Sequence, residues 1–293
     1  TADSITPAPD AVAPDAFTRE AVVDPVESAL ASGNIQIATS EVDLDSRRTN
    51  GLSPLSGAEG ERVAETNLGN LIADAIRDRV VEDNAQYDLG ITEPVLGVMN
   101  GGGIRKPDEI QPAGPITQAY IDGQLPFGNG VGFIEGVTSQ RLLDVLENAV
   151  SEVENVDGRF PQISGFEFAY NPLLAKDSRV REIRLEDGTL VYDAETGFLS
   201  SDSFTVGIFD FLAGGGDDYP LDDLAFTSLG VGDTDMLTEF ITNNAAVVLM
   251  IPVALAAAAD LSVEPTAFAV TVTIAASASF ISPIGYQTNL MVM

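Results

Sequence analysis

The alternation of helix-like and strand-like hydrophobic patterns between residue 34 and about residue 235 is the feature that most constrains the fold. A helical repeat runs from Thr66 to Asp83, and Thr66 or Asn67 is placed to cap its first turn. Its apolar face consists of Leu68, Leu71, Ile72, Ile76 and Val80. The apolar run over residues 94–100 then predicts a buried strand.

Further segments of both kinds complete this region. Residues 35–44 and 204–212 predict strands, and Asp187-Gly188 predicts a hairpin turn. Residues 138–153 predict a second amphipathic helix, whose inward side chains are Leu142, Leu143, Leu146, Ala149, Val150 and Val153. Helices mixed with hairpins favour α+β or mixed-sheet α/β folds. We predict an α+β fold, a layered mixed β-sheet with flanking helices, to which an apolar helical tail is added.

Composition divides the chain into three parts. Residues 1–33 are rich in Pro, Ala and Asp, which indicates a linker or connector; residues 34–235 form the predicted domain. Residues 236–293 form an apolar tail with two nearly uncharged segments, 245–259 and 267–280. Each segment is shorter than the roughly 20 residues that a membrane-spanning helix needs. The tail therefore predicts either buried core helices or part of a larger membrane bundle.

Charge and missing residue types exclude several functions. The formal net charge is -31, which argues against nucleic acid as a partner. The chain has no cysteine and no histidine, so a metal ion here would need oxygen ligands, which suit Ca²⁺ or Mg²⁺. An acidic surface poor in lysine indicates a halophilic protein, and an acidic secreted protein is the alternative.

Three loop motifs carry the chemistry that the residues suggest. In residues 100–105, NGGGIR, the three glycines would let backbone N–H groups approach an anion, and the arginine that follows could bind a phosphate or carboxylate. The alternative is a tight loop with a solvated arginine. In residues 125–129, LPFGN, the aromatic ring is a ligand platform or, more often, a core plug. In residues 211–219, FLAGGGDDY, the carboxylates suit sugar hydroxyls or weakly bound Ca²⁺, or form a plain acidic loop.

Together with ETNLGNLIADA at residues 65–75, these motifs resemble, in this order, the C-terminal domain of the 5'-nucleotidase / UDP-sugar hydrolase family over about residues 35–235. That domain clamps the nucleotide. The resemblance implies that Phe127 and Phe211 sandwich the base and that Asp217 accepts hydrogen bonds from the ribose. It implies phosphate-side contacts from Arg62, Asn100 and Arg105, and a base pocket lined by Asn129 and Gly165. The chain departs from the family at Asp218, where glycine is usual.

In that family, an N-terminal metallophosphoesterase domain holds the divalent metal pair that activates water. We expect this chain to lack that domain, to hold no metal or other cofactor itself, and not to be catalytic alone, because it contains no histidine. The resemblance implies a nucleotide or nucleoside as ligand, the metallophosphoesterase domain as partner, and an extracellular, periplasmic or cell-surface location.

The tail resembles the signature region of sodium:dicarboxylate/sulfate symporters. The similar residues are 242–252 and 276–292, and one hairpin of this kind cannot form a transporter alone. Contact with a membrane is therefore possible through the tail only. Three hypotheses remain: the nucleotide-recognising part of an extracellular phosphohydrolase, a non-catalytic structural or filament module, and a membrane transporter fragment.

Overall fold

A computed structural model describes residues 35–53, 57–105 and 109–243, and the single residues 250, 255, 258 and 266. The predicted linker, 1–33, lies outside these residues. The helices are α1 (Asn67–Tyr87), α2 (Gln118–Gln124), α3 (Ser139–Ala149), α4 (Asp210–Ala213) and α5, described over 233–243. The strands are β1 (Gln36–Ser40), β2 (Leu44–Asp45), β3 (Val95–Asn100), β4 (Ile110–Gln111), β5 (Gly114–Thr117), β6 (Gly130–Thr138), β7 (Pro161–Ser164), β8 (Phe166–Tyr170), β9 (Val180–Leu185), β10 (Leu190–Asp193), β11 (Phe198–Leu199), β12 (Ser203–Phe209) and β13 (Phe226–Gly232).

The central layer is a mixed five-stranded sheet in the order β13-β6-β12-β3-β7. Strands β3 and β12 are parallel, and the other neighbouring pairs are antiparallel. A second, antiparallel sheet has the order β11-β10-β9-β8, and the pairs β1-β5 and β2-β4 form two small ribbons. The predicted mixed sheet with flanking helices is confirmed.

Helix α1 forms where the helical repeat predicted it and ends a few residues later, at Tyr87. The Thr66 hydroxyl caps it by accepting a hydrogen bond from the Gly69 N–H at 3.0 Å. Of its predicted apolar face, Leu71 is half-buried and the rest is buried: Leu68, Ile72, Ile76 and Val80. The helix lies close on β3 because Gly97 has no side chain. A Cβ at this position would come within 2.3 Å of the Ala73 carbonyl oxygen.

Helix α3 is shorter than the predicted 138–153 because it ends at Ala149, and a separate 3₁₀ turn covers Val153–Asn155. The Thr138 hydroxyl caps its start by accepting from the Arg141 N–H at 3.2 Å. Its predicted inward residues are buried in the main core cluster, except Leu143, which is partly buried against it. Each large apolar side chain buried there contributes about 1.5–3 kcal/mol of transfer free energy.

The start of the predicted tail belongs to the folded domain. Met236 and Leu237, on α5, are buried in a core cluster that also contains Leu68 and Ile72 of α1. The packed unit therefore continues beyond residue 235, where we predicted its end. From residue 244 onward, nearly all of the predicted helical tail lies outside the described residues. In the part of the chain that is described, no helix has the length and hydropathy needed to cross a membrane.

Candidate functional site

The strand directions bring four loops to one edge of the central sheet. Because β3 and β12 are parallel, the chain leaves both at the same edge, into residues 101–105 and 210–218. Strands β6 and β7 are antiparallel to these two, so the preceding residues, 125–129 and 157–160, lie at that edge too. Motifs that are distant in the sequence thus become neighbours where ligands of such sheets commonly bind.

These loops enclose a cavity of about 410 Å³. This volume lies within the range of roughly 300–1,000 Å³ that is usual for small-molecule sites. Seven of the eight predicted site residues line it: Arg62, Asn100, Arg105, Phe127, Asn129, Phe211 and Asp217. The other lining residues are Gly102, Gly103, Asp157, Gly158 and Phe209.

Two phenylalanine rings of the cavity remain accessible. Phe127 is 53% exposed and Phe211 is 48% exposed, although both are large apolar side chains. The Phe211 ring rests against Gly216, where a Cβ would come within 2.5 Å of the ring. The guanidinium carbon of Arg105 lies 4.6 Å from the Phe127 ring centroid, a cation–π contact. The cavity therefore offers exposed aromatic surface beside a cation.

The acidic loop after α4 is held by side-chain amides. Asn100 donates from Nδ2 to Asp217 Oδ2 at 2.6 Å, and Asn148 donates from Nδ2 to the Asp217 carbonyl at 3.0 Å. Asp218, which stands where the family usually has glycine, has a φ of 58° in the left-handed region that favours glycine. Arg159 donates from Nη2 to Asp218 Oδ2 at 3.2 Å. The departure at Asp218 thus keeps a glycine-like backbone and adds a carboxylate.

A third arginine, Arg48, lies near Arg62 without lining the cavity. The N–H of Glu61 donates to the Arg47 carbonyl at 2.8 Å, and that of Arg62 donates to the Arg48 carbonyl at 3.2 Å. Burial and the neighbouring charge of Arg48 lower the pKa of Arg62, while Arg105 acts on it from the loop after β3. Sequence analysis missed Arg48 because it precedes the motifs, and backbone pairing brings it beside Arg62.

The glycines of residues 101–103 serve close packing more than the predicted anion contact. The Gly101 N–H donates to the Phe160 carbonyl at 2.8 Å, and the Gly102 N–H donates to the Gly158 carbonyl at 2.7 Å. A Cβ at Gly101 would come within 1.9 Å of the Glu61 carbonyl oxygen. Two of the three backbone amides are therefore already bonded within the protein.

The structure does not bring Gly165 to the cavity. Gly165 joins β7 to β8 at the opposite edge of the sheet, where its φ is 87° and a Cβ would lie 3.0 Å from the Val95 carbonyl oxygen. Gly165, which we predicted to line the base pocket, therefore lies away from the cavity. Gly158, at the other end of the same segment, lines the cavity instead. Choosing between the two glycines requires the direction of β7, which local sequence does not reveal.

Asp157 also lines the cavity and was missed. Its Oδ1 accepts from Arg159 Nε at 3.0 Å. Burial raises its pKa, but the hydrogen bonds from Arg159 outweigh burial, so the pKa of Asp157 lies below its ordinary value. Asp157 therefore stays ionised at neutral pH. In the sequence, the only indication that it belongs to the site is its position directly before a glycine.

Asn129 is fixed by a buried carboxylate. Its backbone N–H and its Nδ2 both donate to Asp233 Oδ2, at 2.9 Å and 3.0 Å. Burial raises the pKa of Asp233.

Among the residues that the structure describes, no group of three or more His, Cys, Asp or Glu side chains could hold a metal ion.

The sequence matches the family model described as 5'-nucleotidase, C-terminal domain, over residues 36–222. The chain therefore belongs to the 5'-nucleotidase C-terminal domain family. The trifunctional nucleotide phosphoesterase protein YfkN of Bacillus subtilis is 29% identical over 212 residues, which are 70% of this chain and 12% of that protein. The crystal structure of a 5'-nucleotidase precursor from Thermus thermophilus is 29% identical with a TM-score of 0.59, and the match covers 78% of this chain and 40% of that one. This chain spans less than half the length of either relative.

A shorter match concerns a different class of protein. Over 59 residues, this chain is 59% identical to the uncharacterized transporter sll0640 of Synechocystis, a stretch that is 20% of this chain and 10% of the transporter. The match supports the transporter-like resemblance only weakly, because so little of that protein is covered.

Proposed function

We propose that the cavity binds a nucleotide or nucleoside, and that this chain is the substrate-recognising part of a 5'-nucleotidase-type phosphohydrolase. The observation that carries the proposal is the joint lining of one cavity by two exposed rings, a carboxylate and arginines. The rings of Phe127 and Phe211 would stack on the base, a contact that tolerates every base identity. Asp217, oriented by Asn100, would accept hydrogen bonds from ribose hydroxyls.

The phosphate would lie beside Arg62 and Arg105, with Arg48 behind them. Charge-assisted hydrogen bonds from guanidinium groups to phosphate are among the stronger polar contacts, and they are stronger still in a partly buried site. Asn100, assigned to the phosphate side by resemblance, already donates to Asp217 in this structure. We propose that it mainly orients Asp217, between the ribose and the phosphate.

Hydrolysis would require the metallophosphoesterase domain that the family resemblance implies as a partner. The metal pair of that domain would supply the activated water, while residues of this chain bind and orient the nucleotide. We therefore propose that this chain alone binds without releasing phosphate. By the same resemblance we propose an extracellular, periplasmic or cell-surface location.

Calorimetric titration of the full 293-residue chain with adenosine and AMP, in moderately high salt, tests the proposal. Phe211→Ala removes one stacking face and should weaken the binding of both ligands by about 1–3 kcal/mol, a roughly 5- to 150-fold loss of affinity. The matched control is Phe198→Ala, because Phe198 is 43% exposed on β11 and does not line the cavity. Absence of binding by either ligand to the folded chain, or equal weakening in both variants, would refute the proposal.

A further inference from the structure

A carboxylate lies buried behind the arginines of the cavity. Glu61 is 0% exposed, and neither of its carboxylate oxygens has a hydrogen-bond partner among the residues that the structure describes. The nearest ion-pair contact is loose, with 3.9 Å between Glu61 Oε1 and Arg62 Nε. A buried carboxylate without hydrogen bonds is costly to keep ionised.

Charged groups face Glu61 from three segments. Arg62 follows it in the chain, Arg48 lies in the segment after β2, and Arg105 lies in the loop after β3. The acidic neighbour is Asp45, whose carboxylate is paired with Arg47 at 2.7 Å. The Gln162 amide donates to the Glu61 backbone carbonyl at 3.0 Å, so it does not satisfy the carboxylate.

Glu61 therefore changes charge in an unusual range. Burial raises its pKa to about 8, even though Arg62, Arg48 and Arg105 all act to lower it. Below this value the carboxyl group is neutral, and its charge does not offset the three arginines. Above it, a negative charge stands directly behind them.

We propose that Glu61 sets the preference of the cavity for phosphorylated over neutral ligands, because its ionised form places a negative charge behind the phosphate-binding arginines. The inference rests on the proposed function and assigns Glu61 a positioning role rather than contact with the ligand. A bound phosphate favours the protonated carboxyl group. Binding of a nucleoside monophosphate must then take up a proton, and binding of a nucleoside must not.

The expected pH dependence has a distinctive sign. A phosphate monoester has a second pKa of about 6, so its charge is constant above about pH 7. Arginines stay charged throughout this range, and the chain has no histidine or cysteine to titrate in it. Glu82, whose burial raises its pKa to about 7, does not line the cavity. A decrease in phosphate affinity between about pH 7 and pH 9 that is absent from Glu61→Gln therefore points to Glu61.

The experiment is titration of the full chain with AMP and adenosine at about pH 7, 8 and 9 and constant ionic strength. AMP affinity should fall about tenfold over this range, while adenosine affinity stays constant. Glu61→Gln keeps the shape without the charge, so its AMP affinity should stay at the value that the wild type has near pH 7. A second measurement needs no variant: in two buffers of different ionisation enthalpy at about pH 8.5, wild-type binding should take up about 0.7 proton per AMP and none per adenosine.

The outcomes separate the two proposals. AMP binding that is independent of pH, without proton uptake, overturns the role of Glu61 and leaves the nucleotide site intact. The same decrease in Glu61→Gln as in the wild type also overturns it. Absence of binding by both ligands overturns the proposed function and, with it, this inference. If Glu61→Gln does not fold, proton uptake by the wild type decides.

Discussion

Gly216 should be essential for the position of the Phe211 ring. A Cβ at Gly216 would lie 2.5 Å from the Phe211 ring and 2.6 Å from the Phe211 carbonyl oxygen. Carbon atoms in van der Waals contact are about 3.5–4.0 Å apart, so neither distance can persist. Because one obstacle is backbone, rotation of the ring alone does not relieve the overlap. In Gly216→Ala the ring and the adjoining loop must both move.

The magnitude follows from what this movement removes. The displaced ring no longer presents its face to a base, which costs about 1–3 kcal/mol of binding free energy. Displacement of the loop also disturbs the 2.6 Å hydrogen bond between Asn100 and Asp217. We expect adenosine affinity to fall roughly 5- to 150-fold, and the free energy of unfolding to fall by about 1–3 kcal/mol through overpacking.

Gly214→Ala is the matched control, because its nearest contact would be the Asp210 carbonyl oxygen at 3.3 Å and the ring would be untouched. Calorimetry with adenosine measures affinity, and thermal denaturation measures folding. The double variant Phe211→Ala/Gly216→Ala should lose less affinity than the sum of the two single losses, since both changes remove the same stacking face, while the backbone clash and the disturbed Asp217 remain. Wild-type affinity in Gly216→Ala, or fully additive losses in the double variant, would refute this reasoning.

Two further predictions concern stability. Asp218→Gly should change the free energy of unfolding by less than about 1 kcal/mol, because glycine suits the φ of 58°. Asp218→Ala should lower the free energy of unfolding by about 1–2 kcal/mol, because alanine does not suit this φ. Urea denaturation compares the two variants, and equal effects would contradict the backbone argument. Because the net charge is -31, salt should screen the repulsion between carboxylates, and the unfolding temperature should rise as NaCl rises from about 0.1 to 1 M. Choline chloride should act similarly, because screening is not ion-specific. An unfolding temperature that does not change with salt would contradict this prediction.

Hydrophobic periodicity predicted the elements that are most regular. It identified α1 and β3 because a helical face and a buried run are local properties, whereas the cap stayed open between Thr66 and Asn67 until the structure placed it at Thr66. It overextended the second helix because Val150 and Val153 are buried, and burial continues the apolar pattern after the helical backbone has ended at Ala149. Sequence periodicity reports which side chains face the core, not where hydrogen bonding stops.

The site was predictable where motifs carry it and not where folding alone brings residues together. Phe127, Phe211 and Asp217 stand in motifs, and the cavity contains all three. Backbone pairing brings Arg48 beside Arg62, and Glu61 looks like an ordinary surface residue in the sequence although it is buried. The loop after β3 approaches the Glu61 carbonyl group closely because residue 101 is glycine, and no local sequence pattern reveals that contact.

A strongly acidic chain can still bind an anion because the two effects act over different distances. At physiological ionic strength the Debye length is about 8 Å, so carboxylates on distant surfaces are largely screened at the cavity. Arg62 and Arg105 line the cavity itself, where partial burial strengthens short-range contacts. For the proposed nucleotide ligand, net charge should therefore slow the approach, while the arginines should govern the dissociation rate. By this reasoning, a buried charge beside those arginines, such as Glu61, should matter more to affinity than an exposed carboxylate on a distant surface.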